Sequence, residues 1–244
     1  MSKLIRQVAG LFFAVTSCFS YSKVLVLTEL SPPYQITLNN QITGSSTELV
    51  KAILTKAQIN HEIAMVPWAR ALHLATNKPN TLIFSIAKTQ EREAHFEWIG
   101  PVATFELGFV SLKHRNDLDF NDFNKAKNYT VVVQRNDIAQ QVLTSLGFDV
   151  IETRDIHHSY NLLLNNKVDL LVDDRLFLPD MARQLNLPDD QFKFITAIPA
   201  LAINGYLAAN RHMDQAQLDA IKKAYMDLVD SDVYRAALIN NGKE

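Results

Sequence analysis

TLIFSIAKTQEREAHFEWIGP, Thr81 to Pro101, is the stretch on which the fold turns. Thr81 to Ala87 is apolar and partly β-branched, which predicts a buried strand. Lys88 to Glu91 breaks it as a polar turn. Thr89, three residues ahead of Arg92, predicts a short helix whose free N–H groups its hydroxyl satisfies. A second short strand is expected at His95 to Ile99, stopped by Gly100-Pro101. Arg92 then stands just past the carboxyl end of a strand, the edge where open α/β sheets bind ligands. Two roles suit it there. Its guanidinium can grip a carboxylate through paired N–H groups, or it is a surface arginine paired with Glu91 or Glu93.

Working outward, Lys23 to Glu29 reads as the first strand, and Pro32-Pro33 closes it into a rigid loop that presents Tyr34. A helix is expected over Thr47 to Ala57, a strand over Ile59 to Val66, and a helix from Trp68 to about Asn77. Trp68 is a cleft aromatic or a core residue. The order β-α-β-α-β argues for a mostly parallel sheet. The same unit then repeats. Strands are expected at Leu107 to Leu112, Thr130 to Gln134, Asp149 to Thr153 and Val168 to Val172. Helices are expected at Ile138 to Leu146, capped by Asn136 or Asp137 and ended by Gly147, at Tyr160 to Asn165, capped by Ser159, and at Phe177 to Leu185. Asp174 ends a strand as Arg92 does; it either holds an ammonium, pairs with Arg175 or caps a helix. Phe192 to Ile198 and Leu201 to Ala208 read as strands that carry the chain back, and helices at Met213 to Val229 and Asp232 to Ile239 close it.

The bulk numbers narrow the function. The chain has 244 residues, 48% of them hydrophobic, and a formal charge of −2 with mixed signs throughout. That supports one large domain or two small ones. The absence of a basic stripe argues against nucleic acid, and the absence of glycine-rich phosphate loops against nucleotides. Asp117-x-Asp119-x-Asn121 lacks the glycine and glutamate of a calcium loop, and His157-His158 lacks metal-ligand spacing, so neither a metal nor a cofactor is expected. Residues 1–22 read as a secretory signal: Lys3 and Arg6, an apolar stretch from Val8 to Thr16, then small residues. Cleavage after Ser20 removes two cations and takes the formal charge from −2 to −4. Val15 to Cys18 also has the look of a lipidation site, but the tether to the first strand is short, so a soluble periplasmic form is expected.

Taken together, the secretory start, the TELSPPY loop, GSSTELVKAIL, VPWARAL, the T-x-E-R turn at Thr89 to Arg92, VVVQRNDIAQQVL and NKVDLLVDD make the chain resemble the periplasmic solute-binding proteins for polar amino acids, family 3, in a branch marked by Pro67-Trp68-Ala69-Arg70. The resemblance covers essentially the whole mature chain. It implies a type II periplasmic-binding-protein-like α/β fold. Each of its two lobes has a mostly parallel sheet flanked by helices, and two crossover strands form the hinge. Lobe one would be residues 23–106 plus 204–244, and lobe two residues 107–203. It implies that Arg92 grips a ligand carboxylate and Asp174 its ammonium. Ser85 and Ala87 would lie at the carboxylate site, and Asn136 and Asp137 at a helix N-terminus in lobe two. Trp68, Ser31 and Tyr34 would form the wall, with Glu29 and Arg70 also at the site. The lobe-two turn departs from the family's small Gly-Ser/Thr pattern, and a carboxylate at Asp137 would repel a ligand carboxylate unless it serves only as a helix cap. The function implied is binding of an amino acid or amino-acid-like zwitterion, without chemistry, by a monomer that delivers it to an ABC permease. The alternatives are a sensor that presents its closed form to a membrane receptor, and a secreted dehydratase of cyclohexadienyl acids using Glu29 as general acid.

Overall fold

The computed structural model describes residues 23–238 except 119 and 121. The expected signal segment with Cys18, two positions of the calcium-like run and Ile239 lie outside the described residues.

Two α/β halves share one eight-stranded sheet. In the first half, β1 (Val24–Thr28), β4 (His61–Met65) and β5 (Thr81–Ala87) are parallel, with α1 (Ser45–Lys56) and α2 (Trp68–Asn77) between them. A small hairpin of β2 (Ile36–Leu38) and β3 (Gln41–Thr43) precedes α1. After β5 come the one-turn α3 (Gln90–Glu93) and the long β6 (Phe96–Leu112), which leaves this half for the other. There β7 (Val131–Gln134), β8 (Val150–Thr153) and β9 (Leu170–Asp174) are parallel, separated by α4 (Ile138–Ser145) and α5 (Ile156–Leu164). A 3₁₀ turn and α6 (Leu178–Gln184) lead into β10 (Phe192–Asn210), which returns antiparallel to β6, and α7 (Gln215–Met226) and α8 (Asp232–Leu238) pack on the first half. The strand order is β4-β1-β5-β10-β6-β9-β7-β8, so the two long strands join the halves.

Alternation along the strands sets the layers. Leu82 and Phe84 of β5 pack with α1 and α7, while Ile83 faces α2 with Leu27, Ala71 and Ala75. In the second half Val131, Val133, Leu170 and Val172 face α4, and Val132 and Leu171 face α5 and α6. Each half is therefore sheet between helices, as parallel strands require.

The structure corrects three expectations. β6 does not stop at Gly100-Pro101 but runs through to Leu112. The Tyr225 ring sits where a Cβ of residue 100 would be, and Tyr225 Oη donates to the Pro101 carbonyl at 3.0 Å. Slips in the β10 pairing around Tyr206 accommodate the proline. The two return strands are likewise one, β10. Finally, α5 begins at Ile156 with Asp155 as its cap, accepting from His158 N at 2.8 Å. Ser159 is buried inside that helix and its hydroxyl bonds Thr153.

The pairing of the long strands breaks once by a wide margin. Ala197 pairs with Gly108 and Ala202 with Glu106, so residues 198–201 bulge opposite Leu107 alone. Pro199 lies in this bulge, where a residue without an N–H is tolerated. Just beside it the strands touch: a side chain on Gly108 would overlap the Phe194 ring and the Thr196 carbonyl oxygen. Gly108→Ala should lower stability by about 1–3 kcal/mol through overpacking against backbone. Denaturant unfolding checks this, and an unchanged midpoint would show that the strands do not approach so closely.

Candidate functional site

Between the halves lies a cleft with about 740 Å³ of space counted to its open mouth. Its walls come from both sides. The first half contributes Glu29, Ser31, Gln35, Trp68, Ser85, Ala87 and Arg92, and the second Gln134, Asp137, Asp173 and Phe177.

Local sequence explains how the key groups are aimed. Ser85 adopts φ 62°, and the extra residue it inserts into β5 breaks the alternation, so that Ile86 falls on the same face as Ile83. Its hydroxyl meets Gln35 Nε2. Gly205 of β10 lies against this kink: a Cβ there would come within 2.9 Å of Ser85 Cα. One turn on, Thr89 caps α3, accepting from Arg92 N at 3.3 Å. Arg92 itself is 3% exposed. Nη1 donates to the Ala87 carbonyl at 3.1 Å and Nη2 to the Asn136 carbonyl at 2.9 Å. Trp68 Nε1 donates to that same Asn136 oxygen at 2.9 Å, and the guanidinium carbon stands 5.4 Å from the Trp68 ring centroid, in cation–π range. Asn136 presents its carbonyl this way because it sits at φ 61°, a conformation asparagine tolerates better than most residues. Asp137 then caps α4, accepting from Ala139 N at 2.8 Å. A further bond between the halves joins Gln141 Nε2 to Glu91 at 3.0 Å.

The electrostatics are dominated by the cleft's carboxyls, of which Asp173 is buried and Glu29 and Asp137 are half-buried. Burial raises the Glu29 carboxyl well above the usual carboxylate range, and repulsion from Asp137 and Asp173 adds to it, against a hydrogen bond from Gln134. Asp173 is pushed up to about 7, first by burial and further by Asp174 and Asp137, although Tyr160 Oη at 2.7 Å and Asp174 N at 2.8 Å donate to it. Asp137 is also raised by burial. Burial lowers Arg92, while Asp137, Glu91 and Glu29 oppose that shift in this order.

Several expected site residues stand elsewhere. Asp174 does not line the cleft. Its Oδ1 accepts from Leu176 N at 2.9 Å, as a cap, and its Oδ2 accepts from Glu106 N at 2.7 Å on the crossing strand. The neighbouring Asp173 faces the cleft instead, because consecutive strand residues point to opposite faces. Tyr34 is buried against Phe105 and Phe177 at 5.3 and 5.5 Å, and its hydroxyl donates to the Thr104 carbonyl. Arg70 lies on the exposed face of α2. Asn136 reaches the cleft through its carbonyl only, its side chain being exposed. Asp173, Gln35, Gln134 and Phe177 had not been expected. The period-two pattern of β9 could have found Asp173; no signal marks the glutamines.

A model of the bacterial extracellular solute-binding proteins, family 3, matches residues 24–238. The chain belongs to this family. No curated protein matched the sequence. Among solved structures, the arginine-, lysine-, histidine-binding protein ArtJ of Geobacillus stearothermophilus superposes with a TM-score of 0.74 at 17% identity, covering 91% of this chain and 96% of that one. The amino-acid transporter substrate-binding protein AbpA of Streptococcus pneumoniae gives 0.71 at 19% identity, covering 88% and 95%. A histidine kinase sensor domain with similarity to periplasmic binding proteins gives 0.74 at 16% identity, covering 88% and 93%. The fold of this family-3 protein is thus the two-lobed one, with the cleft between its halves.

The raised carboxyls have a consequence for stability. A carboxyl whose folded pKa exceeds its unfolded value of about 3.9 binds more protons in the folded state, so stability falls as pH rises between the two values. For Asp173, faced by Tyr160, Asp174, Asp137 and Glu29, that window runs from about 4 to about 7. In the ligand-free protein, Asp173→Asn should flatten the decline in melting temperature across this window. An unaltered slope would place the titration elsewhere.

Proposed function

We propose that the protein binds a small amino-bearing solute, an amino acid or a close chemical relative of one, in the cleft, and presents the closed form to a membrane partner, an ABC permease. The observation that carries this is the convergence of Arg92 and Trp68, from one half, on the Asn136 carbonyl of the other, over a cleft lined by charged groups from both. Neither half alone completes that wall. A solute that touches both has greater affinity for the closed arrangement, and closure follows from that difference. Periplasmic export through the signal segment belongs to the same reading, as do the lobe boundaries at residues 106 and 203.

The cleft's charge weighs against the dehydratase alternative. Glu29, with its raised carboxyl, has the character of a general acid. An anionic cyclohexadienyl acid, however, would have to take Arg92 from the Ala87 and Asn136 carbonyls with the Asp137 carboxylate close by. Like charges in such contact cost several kcal/mol. The sensor alternative keeps a specific support, the equally good superposition on a kinase sensor domain. It changes the partner, not the binding step.

Thermal denaturation of the mature protein against amino acids, amines and related metabolites tests the reading. A ligand at 100 times its Kd stabilises by about 2.7 kcal/mol. A selective rise in melting temperature, lost in Asp173→Asn and Gln134→Ala, is expected. No shift across the panel would overturn it.

A further inference from the structure

The cleft holds more acceptors than donors. Three carboxyls, from Glu29, Asp137 and Asp173, face one cation, Arg92. The amides add to the imbalance. Gln35 is fully buried, its Nε2 engaged by Ser85, and its Oε1 has no hydrogen-bond partner. The buried Oε1 of Gln134 has none either, its amide being turned to Glu29. Buried acceptors left without donors are costly, so a bound molecule should bring N–H groups. Among the cleft-lining side chains described, the one buried donor without a partner is Arg92 Nε.

The charges also divide by location. Asp137 is the strongest of the carboxylates that favour the Arg92 charge, and Arg92 already gives Nη1 and Nη2 to backbone carbonyls. Two of the three guanidinium nitrogens of Arg92 are therefore already engaged within the protein, with Asp137 nearby. Glu29 also feels Arg92, so the carboxyls of Glu29, in the first half, and Asp173, in the second, share with Asp137 the single cation of the cleft and outnumber it. Phe105, Leu107, Ile156, Val172 and Phe177 are among the apolar residues of the wall.

From this arrangement we infer that the solute is a small dication, two cationic nitrogens on a short aliphatic spacer, with no carboxylate. One nitrogen meets Glu29 with the Gln134 and Gln35 amide oxygens, the other meets Asp173, and the spacer lies on the apolar wall. A ligand carboxylate would compete with Asp137 for Arg92 and would enter a cleft already rich in negative charge. The inference rests on the solute-binding reading and names its chemical class.

Calorimetric titration of the mature protein with three matched pairs, and with neutral and acidic amino acids beside them, tests it: putrescine against ornithine, cadaverine against lysine, and agmatine against arginine. Within each pair the cationic ends are the same and only the α-carboxylate differs. At least one amine should bind, tenfold or more tighter than its parent amino acid. Equal or tighter binding of the parents overturns the inference. Binding of neutral or acidic amino acids instead also overturns it while leaving solute binding intact, whereas silence from every compound removes both. Glu29→Gln and Asp173→Asn should each weaken the amine tenfold or more. Asp137→Asn, which keeps a capping side chain, should release Arg92 and narrow the gap by strengthening the amino acid. An unchanged amine-to-amino-acid ratio in that variant would show that Asp137 does not exclude the carboxylate.

Discussion

The closed arrangement depends on one backbone carbonyl. Asn136 holds its oxygen where both Arg92 and Trp68 donate to it, each at 2.9 Å. A neutral hydrogen bond adds about 1 kcal/mol net, and one from a charged donor about 1.5–3 kcal/mol. Two such bonds on one atom, both crossing between the halves, act with the Gln141–Glu91 bond and the Tyr34–Phe177 contact to hold the walls of the cleft together. Their value comes from burial. An arginine 3% exposed must have its charge met, and here backbone carbonyls on both sides of the cleft meet much of it. Opening the halves would expose Arg92 to water, which replaces those bonds at little cost. The joint is thus strong enough to hold and weak enough to release.

The carboxyls around the joint work in the opposite sense. Glu29, Asp137 and Asp173 are all raised by burial, and each repels at least one of the others. Hydrogen bonds from Tyr160, Asp174 and Gln134 offset only part of this. A closed cleft without a guest therefore keeps these groups partly protonated or under strain, and a guest that supplies positive charge relieves both. The joint favours the closed arrangement and the carboxyls oppose it, so the two act against each other across the same cleft.

Much of this was legible in the sequence, and what was not has physical causes. The strand at Thr81–Ala87, the Thr89 cap, the helix from Trp68 and the Asp137 cap follow from local chemistry, and local chemistry placed them. The unbroken β6 was not legible. Gly100-Pro101 reads as a stop until Tyr225, far along the chain, fills the space over the glycine and bonds the proline carbonyl. Asp173 and Asp174 differ only in which face of β9 they occupy, and the adjacent 3₁₀ turn takes Asp174 as its cap. The local alternative of a helix cap describes Asp174, and the carboxylate that lines the cleft is Asp173, one residue earlier. Gln35 and Gln134 carry no motif, since what sets such an amide apart is the partner it lacks in the folded protein.

The hinge and the cleft are not separate parts. Leu107 and Ile203, on the two crossing strands, line the cleft, and Gly205 presses on the kinked Ser85 beside them. The four-residue bulge at 198–201 falls opposite Leu107. Bulged strands bend locally because their ladder is interrupted, so the bend lies at the floor of the cleft. Asp174 pins β9 to the same strand through Glu106 N, next to Asp173. Asp173 of the cleft wall is thus the direct neighbour of a residue fastened to the crossing strand. In such a layout, binding and closure share the same few atoms, and no longer path between site and hinge is required.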